Sequence, residues 1–202
     1  MKKILFAASE AVPFMKTGGL ADVTGSLPKY FDKKNYDVRV ILPKYVCMEE
    51  RWKGQLHFLC HFYVNLSWRK QYVGIFETTY DGITYYLVDN EFYFAGNAPY
   101  NNIYEDVEKF AFFSKAVLEA LPYLDFCPDI IHCHDWQTGL LPVFLRTLYG
   151  DEEYYTGIKT VFSIHNLKFQ GRWKLPAVMD ITGLPDDMLY APYKNAMLHL
   201  LH

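Results

Sequence analysis

Apolar residues in the first part of the chain fall in two near-continuous runs, Ile4 to Ala8 within KKILFAA and Val38 to Leu42 within DVRVIL. Runs of this kind predict strands buried on both faces, as in a parallel sheet covered by helices. Between them Leu20, Val23, Leu27, Tyr30 and Phe31 recur at helical spacing, so the first unit reads strand, helix, strand with a parallel pairing. Pro28 falls inside the helical pattern, where it removes a backbone donor and crowds the preceding turn. Either the helix kinks there, or a first helix ends near Gly25 and a second starts at Ser26. Pro43 closes the second strand.

From Leu56 to Asn90 the period changes to two, through LHFLCHFYVNL, QYVGIFETTY and ITYYLVDN, with Asp81 and Gly82 as a turn between the last two. This predicts an inserted or edge antiparallel meander. Val107, Phe110, Ser114, Val117 and Leu121 then share one stripe behind an acidic first turn, predicting a helix over Glu105 to Leu121. A strand (DIIHC), a helix (TGLLPVFLRTLYG, with Gly150 at its C-terminal end) and a further strand (KTVFSI) follow. Residues DDMLYAPYKNAMLHLLH look helical up to His202 without a capping signal, which suggests the first domain of something longer. Together these elements predict an α/β fold, a doubly wound Rossmann-like parallel sheet with an inserted antiparallel meander, over residues 1–202.

Composition narrows the function. The 202 residues carry a net charge of −3 with acids and bases interspersed, which gives no footprint for nucleic acid or an anionic membrane surface. No apolar run is long enough to cross a bilayer, and Ser9 and Glu10 break the N-terminal one before it could serve as a signal-peptide core. The four cysteines form neither a CxxC pair nor a dense framework, which fits a reducing, cytoplasmic setting. The 17 Tyr, 15 Phe and 4 Trp could stack on sugars, although core and half-buried strand packing is the commoner reason for any one such ring.

In open α/β sheets ligands sit beyond the carboxyl ends of the strands. By that rule the first strand runs out into Lys16, Gly18, Gly19 and Asp22, the strand DIIHC into His134 and Asp135, and the strand KTVFSI into His165 and Asn166. Two glycines free to adopt positive φ, a helix N-terminus behind them and a lysine beside them suit a diphosphate. The order lysine, threonine, glycine, glycine is neither a Walker loop nor a GxGxxG fingerprint. His132, Cys133, His134 and Asp135 are all metal-ligating types. In a strand, however, His132 and His134 share one face and Cys133 takes the other, so His165 would have to complete a site. Asp135 could also simply cap the helix that begins near Thr138.

The segments KKILFAASEAVPFMKTGGLADVTGSLPK, DVRVILPKY, VEKFAFFSKAVLEAL, PDIIHCHDWQTGLLPVFL and TVFSIHNLKFQG resemble, in order, those of bacterial glycogen synthases and plant starch synthases. The resemblance implies one half of a two-domain GT-B type glycosyltransferase. Residues 1–202 would be its N-terminal, acceptor-side domain, with the nucleotide-binding C-terminal domain as its partner. It further implies retaining transfer of glucose from ADP-glucose to the non-reducing end of an α-1,4-glucan, with no cofactor and no metal. Lys16 would contact the donor diphosphate with Gly18 and Gly19 beside it and Asp22 near. His165 would lie against the donor glucose, Asp135 would belong to the sugar and acceptor side, and Asn166 would bind substrate. The segment YFAGNAPYNN lacks an arginine and an aspartate common in the family, so the acceptor contacts around Tyr93 to Tyr100 depart from its pattern. Three other readings remain: a different transferase of the same two-domain type, a metal-dependent hydrolase built on His132, His134, Asp135 and His165, and a non-catalytic glucan-binding module.

Overall fold

The computed structural model describes residues 1–190; the end of the helical pattern expected up to His202 lies outside them. Seven strands form one sheet: β1 Lys2–Ala7, β2 Tyr36–Pro43, β3 His57–Leu66, β4 Arg69–Tyr80, β5 Ile83–Asp89, β6 Ile130–His134 and β7 Lys159–Ser163. Their order is β3-β4-β5-β2-β1-β6-β7. The pairs β5·β2, β2·β1, β1·β6 and β6·β7 are parallel, whereas β3·β4 and β4·β5 are antiparallel. The period-two meander therefore occupies one edge of the sheet, and its last strand joins it to the parallel part.

The near-continuous apolar runs have a direct structural expression. Leu5 and Ala7 of β1, Ile41 of β2, and Tyr86 and Val88 of β5 pack into one core with the helices α3 (Ile103–Ala120) and α4 (Leu140–Thr147). Their neighbours Ile4, Phe6, Val40, Leu42, Tyr85 and Leu87 pack into a second core on the opposite face, with Ala11, Phe14 and Met48. Alternate side chains of one strand thus enter different cores, as a sheet sandwiched between layers requires. Short helices α2 (Glu50–Lys53), α5 (Leu175–Thr182) and α6 (Asp186–Tyr190) complete the described residues. Among these, no helix is long and apolar enough to cross a membrane.

Pro28 resolves as the second of the two possibilities. Helix α1 spans Gly19–Ser26, and Leu27–Tyr30 forms a 3-10 turn that starts with Pro28 among its first residues, where a missing N–H costs least. Gly25 explains how tightly α1 is held. A Cβ there would fall 2.4 Å from the Val12 carbonyl oxygen, and the Thr24 hydroxyl donates to the Glu10 carbonyl at 2.6 Å. The loop after β1 is therefore pressed against the helix backbone. Because the clash is with main chain, Gly25→Ala is expected to destabilise the fold by about 1–3 kcal/mol, read as a lowered urea midpoint with unchanged slope. An unchanged midpoint would show that the close approach carries no energetic weight.

Candidate active site

Strand β1 has β2 on one side and β6 on the other, so the connections leaving it and β6 diverge: the switch point of the sheet. Beyond the C-terminal ends of these strands lies a cleft of ≈ 1180 Å³. Glu10, Thr17, Gly18 and Gly19 line it after β1, Asp135, Trp136 and Gln137 after β6, and His165 and Asn166 after β7. The three strand ends singled out in the sequence therefore do open on one site.

The wall after β1 is organised by a carboxylate. Glu10 is only 2% exposed, and it accepts from the backbone N–H of Thr17, from the Thr17 hydroxyl at 2.8 Å and from the Tyr100 hydroxyl at 2.5 Å. Burial first, then the Glu10 charge, pushes the Tyr100 phenol far above its ordinary value, so it serves as a neutral donor. Tyr100 is itself held in place from α3. A buried ion pair joins Lys109 to Asp106 at 2.8 Å, and the same ammonium donates to the Pro99 carbonyl at 2.9 Å. Tyr93 does not share this role: it is buried, stacks on Phe112 at 4.6 Å and donates to Glu108.

Gly18 and Gly19 line the cleft without using a left-handed conformation. Gly18 has φ −151°, an extended value open to any residue, and a Cβ at either position would meet nothing within 4 Å. Their contribution is the empty space where side chains would stand, at the start of a helix that no side chain caps. Lys16 and Asp22 lie outside the lining. They pair with each other at 2.7 Å, each side chain about half exposed.

Asp135 does not cap the following helix. Its side chain makes no capping bond; instead Oδ1 accepts from the backbone N–H of His165 at 2.7 Å and of Asn166 at 3.4 Å. This ties the end of β6 to the loop after β7. The residue has φ 58°, ψ 177°, a region nearly reserved for glycine, which marks a strained turn at the cleft. One ring nitrogen of each of His132, His134 and His165 is engaged within the protein: His132 Nε2 lies 2.7 Å from the Ser163 hydroxyl, and His134 Nδ1 lies 2.9 Å from His165 Nε2. Among the described residues, no group of three His, Cys, Asp or Glu side chains is disposed to hold a metal ion.

Of the seven candidate residues, Gly18, Gly19, Asp135, His165 and Asn166 line the cleft, and Lys16 and Asp22 flank it beside Thr17. Glu10 was not among the candidates, and Tyr100 entered only as the end of the segment whose acceptor contacts depart from the family pattern. Glu10 had the same signal as Asp135, an acid just past the carboxyl end of an apolar strand, but it reads in sequence only as an interruption of an apolar run.

Fold and site together define an α/β domain of the doubly wound type, with a polar cleft at the switch point of its sheet. Residues 3–201 match the family described as the starch synthase catalytic domain, and the chain belongs to that family. It is 65% identical over 186 residues to a glycogen synthase of Lachnoclostridium phytofermentans, covering 92% of this chain and 39% of that one. With a glycogen synthase of Clostridium kluyveri it shares 48% over 198 residues, covering 98% and 41%. The catalytic domain of starch synthase IV from Arabidopsis thaliana, solved bound to ADP and acarbose, superposes with a TM-score of 0.81 at 29% identity, over 95% of this chain and 39% of that one. The chain thus spans about two fifths of the length of these relatives.

Proposed function

We propose that this chain is the N-terminal, acceptor-side half of a retaining glucosyltransferase that moves glucose from ADP-glucose to the non-reducing end of an α-1,4-glucan. The second, nucleotide-binding half is supplied by residues beyond His202. The observation that carries the reading is the pairing, in one cleft, of an uncapped helix start stripped of side chains with the Asp135–His165 tie on the opposite strand ends. The names of the relatives, and the ADP and acarbose held by the Arabidopsis enzyme, support the same substrates here.

The chemistry asks for these groups. As the bond from glucose to the diphosphate breaks, negative charge grows on the leaving phosphate and positive charge on the sugar ring. A fixed cation and oriented N–H donors therefore stabilise the transition state more than the ground state. The N-terminus of α1 and the Lys16 ammonium take the phosphate side. His165 and Asp135 hold the sugar side, while Glu10, braced by Tyr100, holds Thr17 in the wall on the phosphate side. Holding donor and acceptor in reacting geometry supplies much of what remains.

The test is release of ADP from ADP-glucose, measured on the protein extended past His202 to the length of its relatives and on the chain alone. We expect release that depends on added glycogen and is unchanged by EDTA in the extended protein, and almost none in the chain alone. Absence of transfer would overturn the reading. Loss of transfer in EDTA would turn attention to the histidines as ligands.

A further inference from the structure

His134 stands one residue before Asp135 but does not line the cleft, and its side chain is fully buried. Its ring packs against Phe6, with centroids 4.9 Å apart, and stacks on His132 at 4.1 Å. Nδ1 lies 2.9 Å from Nε2 of His165. The two ring planes differ by 15° with centroids 5.2 Å apart, so the hydrogen bond runs close to the plane of both rings. Nε2, the other nitrogen of His134, is buried with no partner among the described residues. Burial, then the neighbouring His132 and His165, pushes His134 down to about 3, so near neutral pH the ring is uncharged and holds a single proton.

We propose that His134 is a positioning residue that sets the tautomer of His165. It carries its proton on Nδ1, donates it to Nε2 of His165, and so obliges neutral His165 to carry its own proton on Nδ1, the nitrogen left for a ligand in the cleft. A hydrogen bond between two neutral imidazoles needs one bare nitrogen and one N–H, which leaves two arrangements. In the alternative, the proton of His134 sits on Nε2, burying an N–H donor with no acceptor. Such orphaned donors are rarer in folded proteins than bare buried acceptors. His132 does not compete for this bond, since its own Nε2 faces the Ser163 hydroxyl.

Two consecutive residues of one strand end then control both parts of His165: Asp135 holds its backbone N–H and His134 its ring. The consequence for chemistry rests on the transferase reading. With its proton on Nδ1, His165 offers the cleft a donor and not an acceptor, which suits an oxygen of a sugar hydroxyl and disfavours a ligand that can only donate.

Long-range proton–nitrogen NMR spectra of the chain labelled at histidine, recorded where His165 is neutral, report the tautomer directly. We expect His165 with a protonated Nδ1 and a bare Nε2; the opposite assignment in the parent protein overturns the proposal without any variant. In His134→Phe, which keeps a ring but no nitrogen, His165 should relax to a mixture of tautomers. In His134→Asn, whose amide nitrogen can stand near the place of Nδ1, the Nδ1–H form should return. Transfer by the extended protein should fall about tenfold or more in His134→Phe and recover largely in His134→Asn. Reduced transfer with an unchanged His165 tautomer would refute the positioning role and leave the transferase reading intact. No transfer by the parent protein would refute the transferase reading while the spectra still decide the tautomer.

Discussion

Lys16→Ala is expected to lower glucosyl transfer by the extended protein about a hundredfold or more, while stability stays within about 0.5 kcal/mol of the parent. The two halves of this expectation come from different parts of the structure. Among the described residues Lys16 pairs only with Asp22, and both side chains are about half exposed, so solvent screens the pair and little folding energy depends on it. On the transferase reading proposed above, its position beside the cleft-lining Thr17 and the open start of α1 would put its charge near the leaving diphosphate, on which negative charge grows. Since that charge develops during bond breaking, the loss should fall mainly on kcat and less on the KM for ADP-glucose. Steady-state ADP release and a urea melt on the same sample check both halves. A fall of less than about tenfold would remove Lys16 from the phosphate side of the mechanism.

Asp135→Ala should damage both stability and transfer, and a second substitution separates the two. The carboxylate is buried and accepts from the backbone N–H groups of His165 and Asn166; removing it strands those donors, at a cost of about 1–3 kcal/mol. The loop carrying His165 then loses its tie to β6, and with the sugar misplaced transfer is expected to fall about a hundredfold. Asp135→Gly removes the same carboxylate but accepts φ 58°, ψ 177° without strain. The glycine variant should therefore be the more stable of the two while transferring glucose as poorly. Near-parental transfer by Asp135→Gly would mean that the backbone turn, and not the carboxylate, matters to the site.

Much of this arrangement was legible from residue order alone. Strands buried on both faces announce themselves as apolar runs, and the rule that ligands gather at carboxyl strand ends points to Asp135, His165, Asn166 and the two glycines, all of which line the cleft. What stayed hidden depends on long-range placement. The pairing of His134 with His165 follows from the register of β6 against β7, which sets His134 opposite Ser163, and no local pattern fixes a register. Tyr100 reaches the cleft because the buried Lys109–Asp106 pair anchors the chain before α3. The role of Gly18 and Gly19 was legible as open backbone but not as geometry, because the expected freedom at positive φ is not what the structure uses. Helix α5 went unread altogether: its apolar residues Val178 and Ile181 join the larger core too briefly to form a period.

The switch point also dictates when the site can come into being. Strand β1 pairs with β6 through partners such as Ile4 and Ile130, 126 positions apart, while its other neighbour, β2, arrives within about forty residues of the N-terminus. Closing the longer loop comes late and slowly, since entropy must be lost over the whole intervening chain before the contact repays it. During synthesis the Glu10 loop and α1 thus emerge long before their opposite wall. Any nascent piece that stops short of β6 has one wall of the cleft without the other.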